Sequence, residues 1–260
     1  MKKKYQGYLI DLDGTLFRGT ERIDGALDFM EWLHAEDVPY LYLTNNSTRT
    51  PEQVAEKLRQ FGFPATAEQV YTSALAAAQY VKQELNAPSV FVIGEEGLQQ
   101  AFRDQGIRLT DEDPDVVVSG LDRAFTYDKM KKACLSIRAG AIFIGTNADR
   151  ALPTEAGLFP GSGSLAMGMA YATGVDPLFI GKPEPVIMRY ALQALGVPPE
   201  RVLVIGDNLD TDILAGVRSG IDTLLVYTGI TTREMARLSA VRATYEVENL
   251  RDWIKREKGE

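Results

Sequence analysis

One cysteine, Cys134, stands in a chain of 260 residues, so no disulfide can close within it. That scarcity suits a reducing, cytoplasmic setting. Histidine is as scarce, with His34 alone, which excludes zinc sites assembled from several His or Cys ligands. Basic residues are outnumbered: 28 Lys and Arg against 36 Asp and Glu leave a net charge of −8. A nucleic-acid binder carries the opposite balance, so no polymer of that kind is expected as a partner.

A long hydrophobic run is also missing. Residues 156–175 carry no charge, and a stretch of that length could span a bilayer. Gly157, Pro160, Gly161, Gly163, Gly168 and Gly174 interrupt it, and its apolar part from Leu165 to Ala172 is too short. It reads as a loop followed by a buried helix. Met1-Lys2-Lys3-Lys4 could open a signal peptide, but the apolar run behind it stops at Asp11 and Asp13, and that reading is rejected. No membrane partner is expected. What remains is ordinary globular composition, 45% hydrophobic and 25% charged, in a length that fits one large domain or two modest ones.

Short β-rich runs alternate with helical patterns. The sequence predicts strands at 6–11, 39–44, 90–94, 115–119, 141–146, 177–181, 201–206 and 223–227. It predicts helices near 25–36, 51–61, 73–85, 95–105, 127–139, 163–173, 184–195, 210–219 and 247–256. Several strands are continuous apolar runs, such as Val202-Leu203-Val204-Ile205. Such runs suit strands covered on both faces. The alternation predicts an α/β fold with a doubly wound, mostly parallel sheet. Acidic strand ends occur near both ends of the chain, at Asp11, Asp13 and Asp207, whereas the middle strands end in Gly94, Gly120 and Asn147. Ligands of open α/β sheets gather at the carboxyl ends of strands. One site drawn from both ends of the chain therefore predicts a core of residues 1–79 plus 179–260, with 80–178 inserted as an α/β cap.

Chemistry-bearing residues cluster at four strand ends. In Leu9-Ile10-Asp11-Leu12-Asp13-Gly14-Thr15, two carboxylates follow an apolar strand. Two Asp so close repel unless a cation neutralises them, which suits Mg²⁺; strand-ending turn chemistry accounts for them equally well. Thr44-Asn45-Asn46-Ser47-Thr48 offers hydroxyls, amides and free N–H groups before a helix, suited to a phosphate oxygen or simply to capping. Lys182, between Gly181 and Pro183, can neutralise a phosphate or stand solvated. In Gly206-Asp207-Asn208-Leu209-Asp210-Thr211-Asp212, capping explains Asp210 and extends to Asp212, but not Asp207 at the end of a buried strand. His34, Cys134 and the strand tyrosines Tyr5, Tyr8, Tyr40 and Tyr42 read as packing or surface residues.

Together and in this order, the four clusters resemble the motifs of the haloacid dehalogenase superfamily. The long insertion between the Thr44 and Lys182 clusters, with only a short loop at 17–25 after the first, resembles the C2-type cap subclass. Thr146-Asn147-Ala148-Asp149, Phe159-Pro160-Gly161-Ser162-Gly163-Ser164-Leu165 and Gly181-Lys182-Pro183-Glu184-Pro185 are similar to subfamily IIA, the NagD-like, 4-nitrophenylphosphatase branch. The resemblance implies a Mg²⁺-dependent phosphatase acting on small phosphate monoesters through an aspartyl-phosphate. Asp11 would be the nucleophile and Asp13 the general acid and base. Thr44, Asn45 and Asn46 would hold the phosphoryl group, and Lys182 would neutralise it and orient Asp11. Asp207 would share the cation with Asp11 and the Asp13 carbonyl, supported by Asp212. Asn147 and Asp149 would face the substrate from the cap, and homodimers fit the branch. Two other functions share these features: a phosphoryl-transferring mutase, and a non-catalytic phosphate-binding regulatory domain. The large cap insertion speaks against the first, and the full set of charged motif residues against the second.

Overall fold

The computed structural model describes residues 5–154 and 156–259. The rejected signal-peptide reading of Met1 to Lys4 lies outside them. The chain divides into two compact units. One holds the N-terminal part through Thr44, then Glu52–Tyr71, then Lys182 onward; the other holds Asn45–Pro51 and Thr72–Gly181.

The first unit is organised by a six-stranded sheet. Its order is Tyr245–Val247, Asp222–Val226, Val202–Gly206, Gly7–Ile10, Tyr40–Thr44, Val70–Thr72. Neighbours from Tyr245–Val247 through Tyr40–Thr44 pair in parallel. The three central strands are buried at every position, as continuous apolar runs require when helices cover both faces. On one face Tyr8, Ile10, Leu203 and Leu224 pack with Phe29, Met30 and Leu33 of helix Ala26–Ala35 and with Leu250 and Trp253 of helix Leu250–Lys258. That last helix begins where the Asn249 side chain accepts the N–H groups of Arg251 and Asp252, an N-cap that satisfies donors the first turn leaves open. Opposite, Leu209, Ile213, Leu225 and Ala236 form a smaller cluster.

Strand order fixes where chemistry can occur. From Gly7–Ile10 the chain steps one way to Tyr40–Thr44, and it returns on the other side as Val202–Gly206. The order therefore reverses beside Gly7–Ile10, which is the ligand-binding switch point of an open α/β sheet. Register brings the two strand ends level: Ile10 pairs with Ile205, and the Asp11 N–H donates to the Ile205 carbonyl at 2.9 Å.

The second unit has its own parallel sheet, ordered Leu178–Phe179, Ile142–Gly145, Val116–Ser119, Ser89–Ile93, Arg108–Leu109. Val117 and Phe143 pack against Ala133, Cys134 and Ile137 of helix Tyr127–Arg138 and against Ala166, Met169 and Ala170 of helix Ser162–Thr173. Cys134 is thus a core residue. The reading of 156–175 needs correction in both parts. Residues Gly157–Pro160 are not loop but the second strand of an antiparallel hairpin with Ala151–Thr154. The helix behind them buries one face only and leaves Tyr171 95% exposed. Small residues on the inner face allow close packing, while Met167 and Tyr171 on the outer face are exposed. Other short elements escaped the sequence pattern: the hairpin Phe17–Arg18 with Glu21–Arg22, strands Val70–Thr72, Arg108–Leu109 and Tyr245–Val247, and helix Arg233–Leu238. None is long enough to display a period.

Candidate active site

Lys182 organises the site in the first unit. Its ammonium donates to Asp11 Oδ1 at 2.6 Å, to Asp212 Oδ1 at 2.7 Å and to the Leu43 carbonyl at 3.0 Å. Three acceptors match the three donors of an ammonium, and they come from three different segments. Lys182, Asp212 and Asp207 are buried. Asp212 also accepts the Asn208 N–H at 3.1 Å through Oδ2. Asp212 thus does both things expected of it: Oδ2 caps the backbone of the N-cap residue Asn208, whose own side chain accepts the Asp210 N–H at 2.9 Å, and Oδ1 faces the lysine.

Asp13 is exposed, in a turn closed by the Gly14 N–H donating to the Phe17 carbonyl at 2.8 Å. Gly14 has φ +87°, and a Cβ there would lie 2.5 Å from Asp207 Oδ2. Both facts exclude a larger residue: the backbone is in the left-handed region and the space is filled by a carboxylate. The turn thus brings the chain after Asp13 against Asp207. Thr44 is buried at the end of its strand, next to the Leu43 carbonyl that Lys182 holds. Of the residues expected at the core site, Asp11, Lys182, Asp207 and Asp212 are brought into one cluster, with Asp13 and Thr44 on the strand ends that carry it.

The remaining candidates belong to the second unit, where they form their own network. Ser73 Oγ and Asn147 Nδ2 both donate to the Asn45 carbonyl, at 2.6 and 2.8 Å. Asn147 is buried, and its Oδ1 accepts the Asp149 N–H at 3.1 Å. Asn46 Oδ1 accepts the N–H groups of Thr48 and Arg49 at 3.0 and 3.1 Å, an Asx turn that leads into helix Pro51–Gln60. Both Asn side chains are thereby engaged with backbone, and the half-buried Asp149 accepts from Asn45 Nδ2 at 3.5 Å through Oδ1.

Clustered carboxylates shape the electrostatics. Burial, then the charge of Asp212 and that of Asp207, pushes the Asp11 carboxyl well above its ordinary value against the opposing pull of Lys182. Burial and Asp212 raise Asp207 to about 7, although the Ile230 N–H and Lys182 oppose the shift. Burial alone would lower Lys182; Asp11 and Asp212 outweigh it and hold the ammonium above the usual lysine range. Asp11, Asp207 and Asp212 each offer an oxygen within 4.8 Å of the others, and one lysine cannot neutralise three carboxylates. An all-oxygen, net-negative pocket fits a hard divalent cation such as Mg²⁺.

One contributor escaped the sequence reading. The segment after strand Asp222–Val226 carries no charged residue at 228–231, yet the Ile230 N–H donates to Asp207 Oδ2 at 2.6 Å. Its only signal was position, since it too follows the carboxyl end of a sheet strand.

Comparison with known proteins converges on one family. The profile of haloacid dehalogenase-like hydrolases matches residues 8–108, and a second HAD-hydrolase-like profile matches 179–253. The chain is 51% identical over 252 residues to the 5'-nucleotidase YutF of Bacillus subtilis, covering 97% of this chain and 98% of that protein. It is 47% identical over 253 residues to an acid sugar phosphatase of Staphylococcus aureus, covering 97% and 98%. A 4-nitrophenylphosphatase structure from Thermotoga maritima superposes with a TM-score of 0.93 at 32% identity, covering 97% of each chain. A thermostable NPPase double mutant from Geobacillus stearothermophilus gives 0.92 at 50% identity, covering 96% and 98%. With its carboxylate cluster at the switch point of a parallel sheet, the chain belongs to the haloacid dehalogenase-like hydrolase family.

Proposed function

We propose that this protein hydrolyses small phosphate monoesters with the help of Mg²⁺, through a phosphorylated Asp11. The observation that carries the reading is the salt bridge of Lys182 to Asp11 at 2.6 Å, with Asp207 and Asp212 gathered beside it. A carboxylate attacking an anionic phosphate is repelled unless positive charge stands between them. Asp11, Asp207 and the Asp13 carbonyl would hold the cation, which when bound would neutralise the carboxylates and the phosphoryl oxygens.

Asp11 attacks phosphorus, and the bond to the ester oxygen breaks as Asp13 gives that oxygen a proton. Asp13 then takes a proton from water, whose oxygen attacks the phosphorus and frees Asp11 and inorganic phosphate. Lys182 holds Asp11 in place and offsets charge, with Thr44 and the Asn45–Asn46 loop as the seat of the phosphoryl oxygens. Such transfer rests on positioning and charge neutralisation. Residues 1–79 and 179–260 act as the phosphatase core, with 80–178 as the cap. Of the cap candidates, the half-buried Asp149 is the one assigned to the substrate, since Asn147 is buried with both polar ends held by backbone.

The relatives named above are a 5'-nucleotidase, an acid sugar phosphatase and 4-nitrophenyl phosphatases. They support small phosphate esters as the substrate class, and a cytoplasmic, homodimeric enzyme belongs to the same reading. The test is phosphate release from an ester panel with and without EDTA, for wild type and Asp11→Asn. Turnover should vanish in chelator and in the variant. Activity that survives excess chelator overturns the cation's part; a variant retaining more than a small fraction of kcat overturns the aspartyl-phosphate route.

A further inference from the structure

The stretch Thr228–Thr231 touches both acidic strand ends without contributing a charge. Thr228 Oγ1 donates to the Gly14 carbonyl at 2.7 Å, fixing the turn that carries Asp13. The Ile230 N–H donates to Asp207 Oδ2 at 2.6 Å, and the Thr231 N–H donates to the Asp207 carbonyl at 3.1 Å. Thr231 is buried, and its hydroxyl oxygen accepts the Leu209 N–H at 3.1 Å, just beyond Asp207. At Gly229, a Cβ would overlap Asp207 Oδ2 and its carboxyl carbon. The Ile230 side chain, by contrast, is 57% exposed. What the segment offers Asp207 is therefore backbone: donors, and the room that a glycine leaves.

We infer that Thr228–Thr231 is a positioning segment for the divalent cation. The Ile230 N–H and the bare backbone of Gly229 fix the rotamer of Asp207 by holding its Oδ2, so that the carboxylate is set before a cation arrives. The inference rests on the cation reading given under the proposed function. A carboxylate free to rotate would lose order on binding metal; one held by a neighbouring amide has already lost it, so the site is pre-organised. Asp207 carries this constraint from a segment that follows the adjacent strand of the sheet, which ties cation affinity to the packing of that strand.

The test uses the full-length, metal-free protein with Mn²⁺ as the probe, free Mn²⁺ being read by electron paramagnetic resonance. Gly229→Ala forces a methyl group against Asp207, and Ile230→Pro removes the donor. Either should weaken Mn²⁺ binding at least tenfold, while activity recovers toward wild type as Mn²⁺ is raised. Gly220→Ala is the control for a general loss of stability: Gly220 has φ +68° and nothing within 4 Å of a built Cβ. It should lower thermal stability and leave Mn²⁺ affinity unchanged. If Gly229→Ala fails to fold, Ile230→Pro carries the test. Wild-type affinity in a folded variant overturns the inference, as does an equal loss of affinity in Gly220→Ala. Wild-type protein that binds no Mn²⁺ overturns the cation reading itself, and with it the inference.

Discussion

Asp207 concentrates the competing demands on a single side chain. It is buried beside Asp212, near Asp11 and Lys182, and held by the Ile230 N–H, and its carboxyl titrates at about 7 rather than at 3.8. A carboxyl whose folded value is raised binds its proton more tightly in the folded state. Its contribution to stability is full below pH 3.8 and is lost as pH rises through about 7. In metal-free protein, Asp207→Asn should therefore raise the melting temperature at pH 8, with the advantage shrinking as pH falls through 7 toward 4. Melting curves of both proteins across that range, in EDTA, check the sign. A variant less stable than wild type at pH 8 would mean that the carboxylate is compensated by its neighbours without metal. Added Mg²⁺ should narrow the gap from the other side by stabilising only the wild type, since ligand that binds the native state alone stabilises it by mass action.

Among the elements, the C-terminal helix Leu250–Lys258 shows how a polar segment is held to the fold. Lys255, Arg256 and Lys258 crowd its last turn and Asp252 its first, the arrangement a helix dipole favours. Its anchor is Trp253, 1% exposed, tilted against Tyr5 and Tyr245 with ring centroids 6.2 and 5.1 Å away. Trp253→Ala should destabilise the protein by about 3–5 kcal/mol, the cost of a large aromatic cavity; urea unfolding measures it, and a loss under about 1 kcal/mol would mean that the helix repacks. This helix was legible from its apolar spacing, as were the buried strands that end in Asp11, Thr44 and Asp207. The strand Tyr245–Val247 beside it was not, because three residues show no period and their burial depends on neighbours from distant parts of the chain. The site divided the same way. Asp11, Lys182 and Asp207 announced themselves as charges at strand ends. The Ile230 amide did not, since a backbone donor leaves no trace in residue type. Residue type showed Asp212 only as a cap, which it also is; its pairing with Lys182 spans thirty positions, a separation that local reasoning does not reach, and the family resemblance alone pointed to it.

At the scale of the whole molecule, the proposed function would have a discontinuous chain divide common and variable chemistry among separate segments. The first unit carries Asp11, Asp13, Thr44, Lys182 and Asp207, and the second carries Asn45, Asn147 and Asp149. Among the described residues no helix is long and apolar enough to cross a membrane. In the proposed function, the first set acts on the phosphoryl group that every substrate shares. Asp149 acts on the part that differs. Interactions with the leaving group discriminate between esters, whereas loss of an interaction with the phosphoryl group slows all of them together. Asp149→Ala should therefore reorder kcat/KM across a panel of sugar phosphates and nucleoside monophosphates while changing 4-nitrophenyl phosphate least. That ester has a good leaving group and few polar atoms to recognise. Asn147→Ala should behave differently, because it removes a donor from the Asn45 carbonyl. With the Asn45 loop loosened, every ester should lose kcat/KM by a similar factor, on the order of tenfold for about 1.4 kcal/mol of lost positioning. Panels for the two variants, run side by side, separate recognition from positioning. A uniform fall in Asp149→Ala would remove that residue from substrate recognition, and a reordered panel in Asn147→Ala would place the asparagine there in its stead.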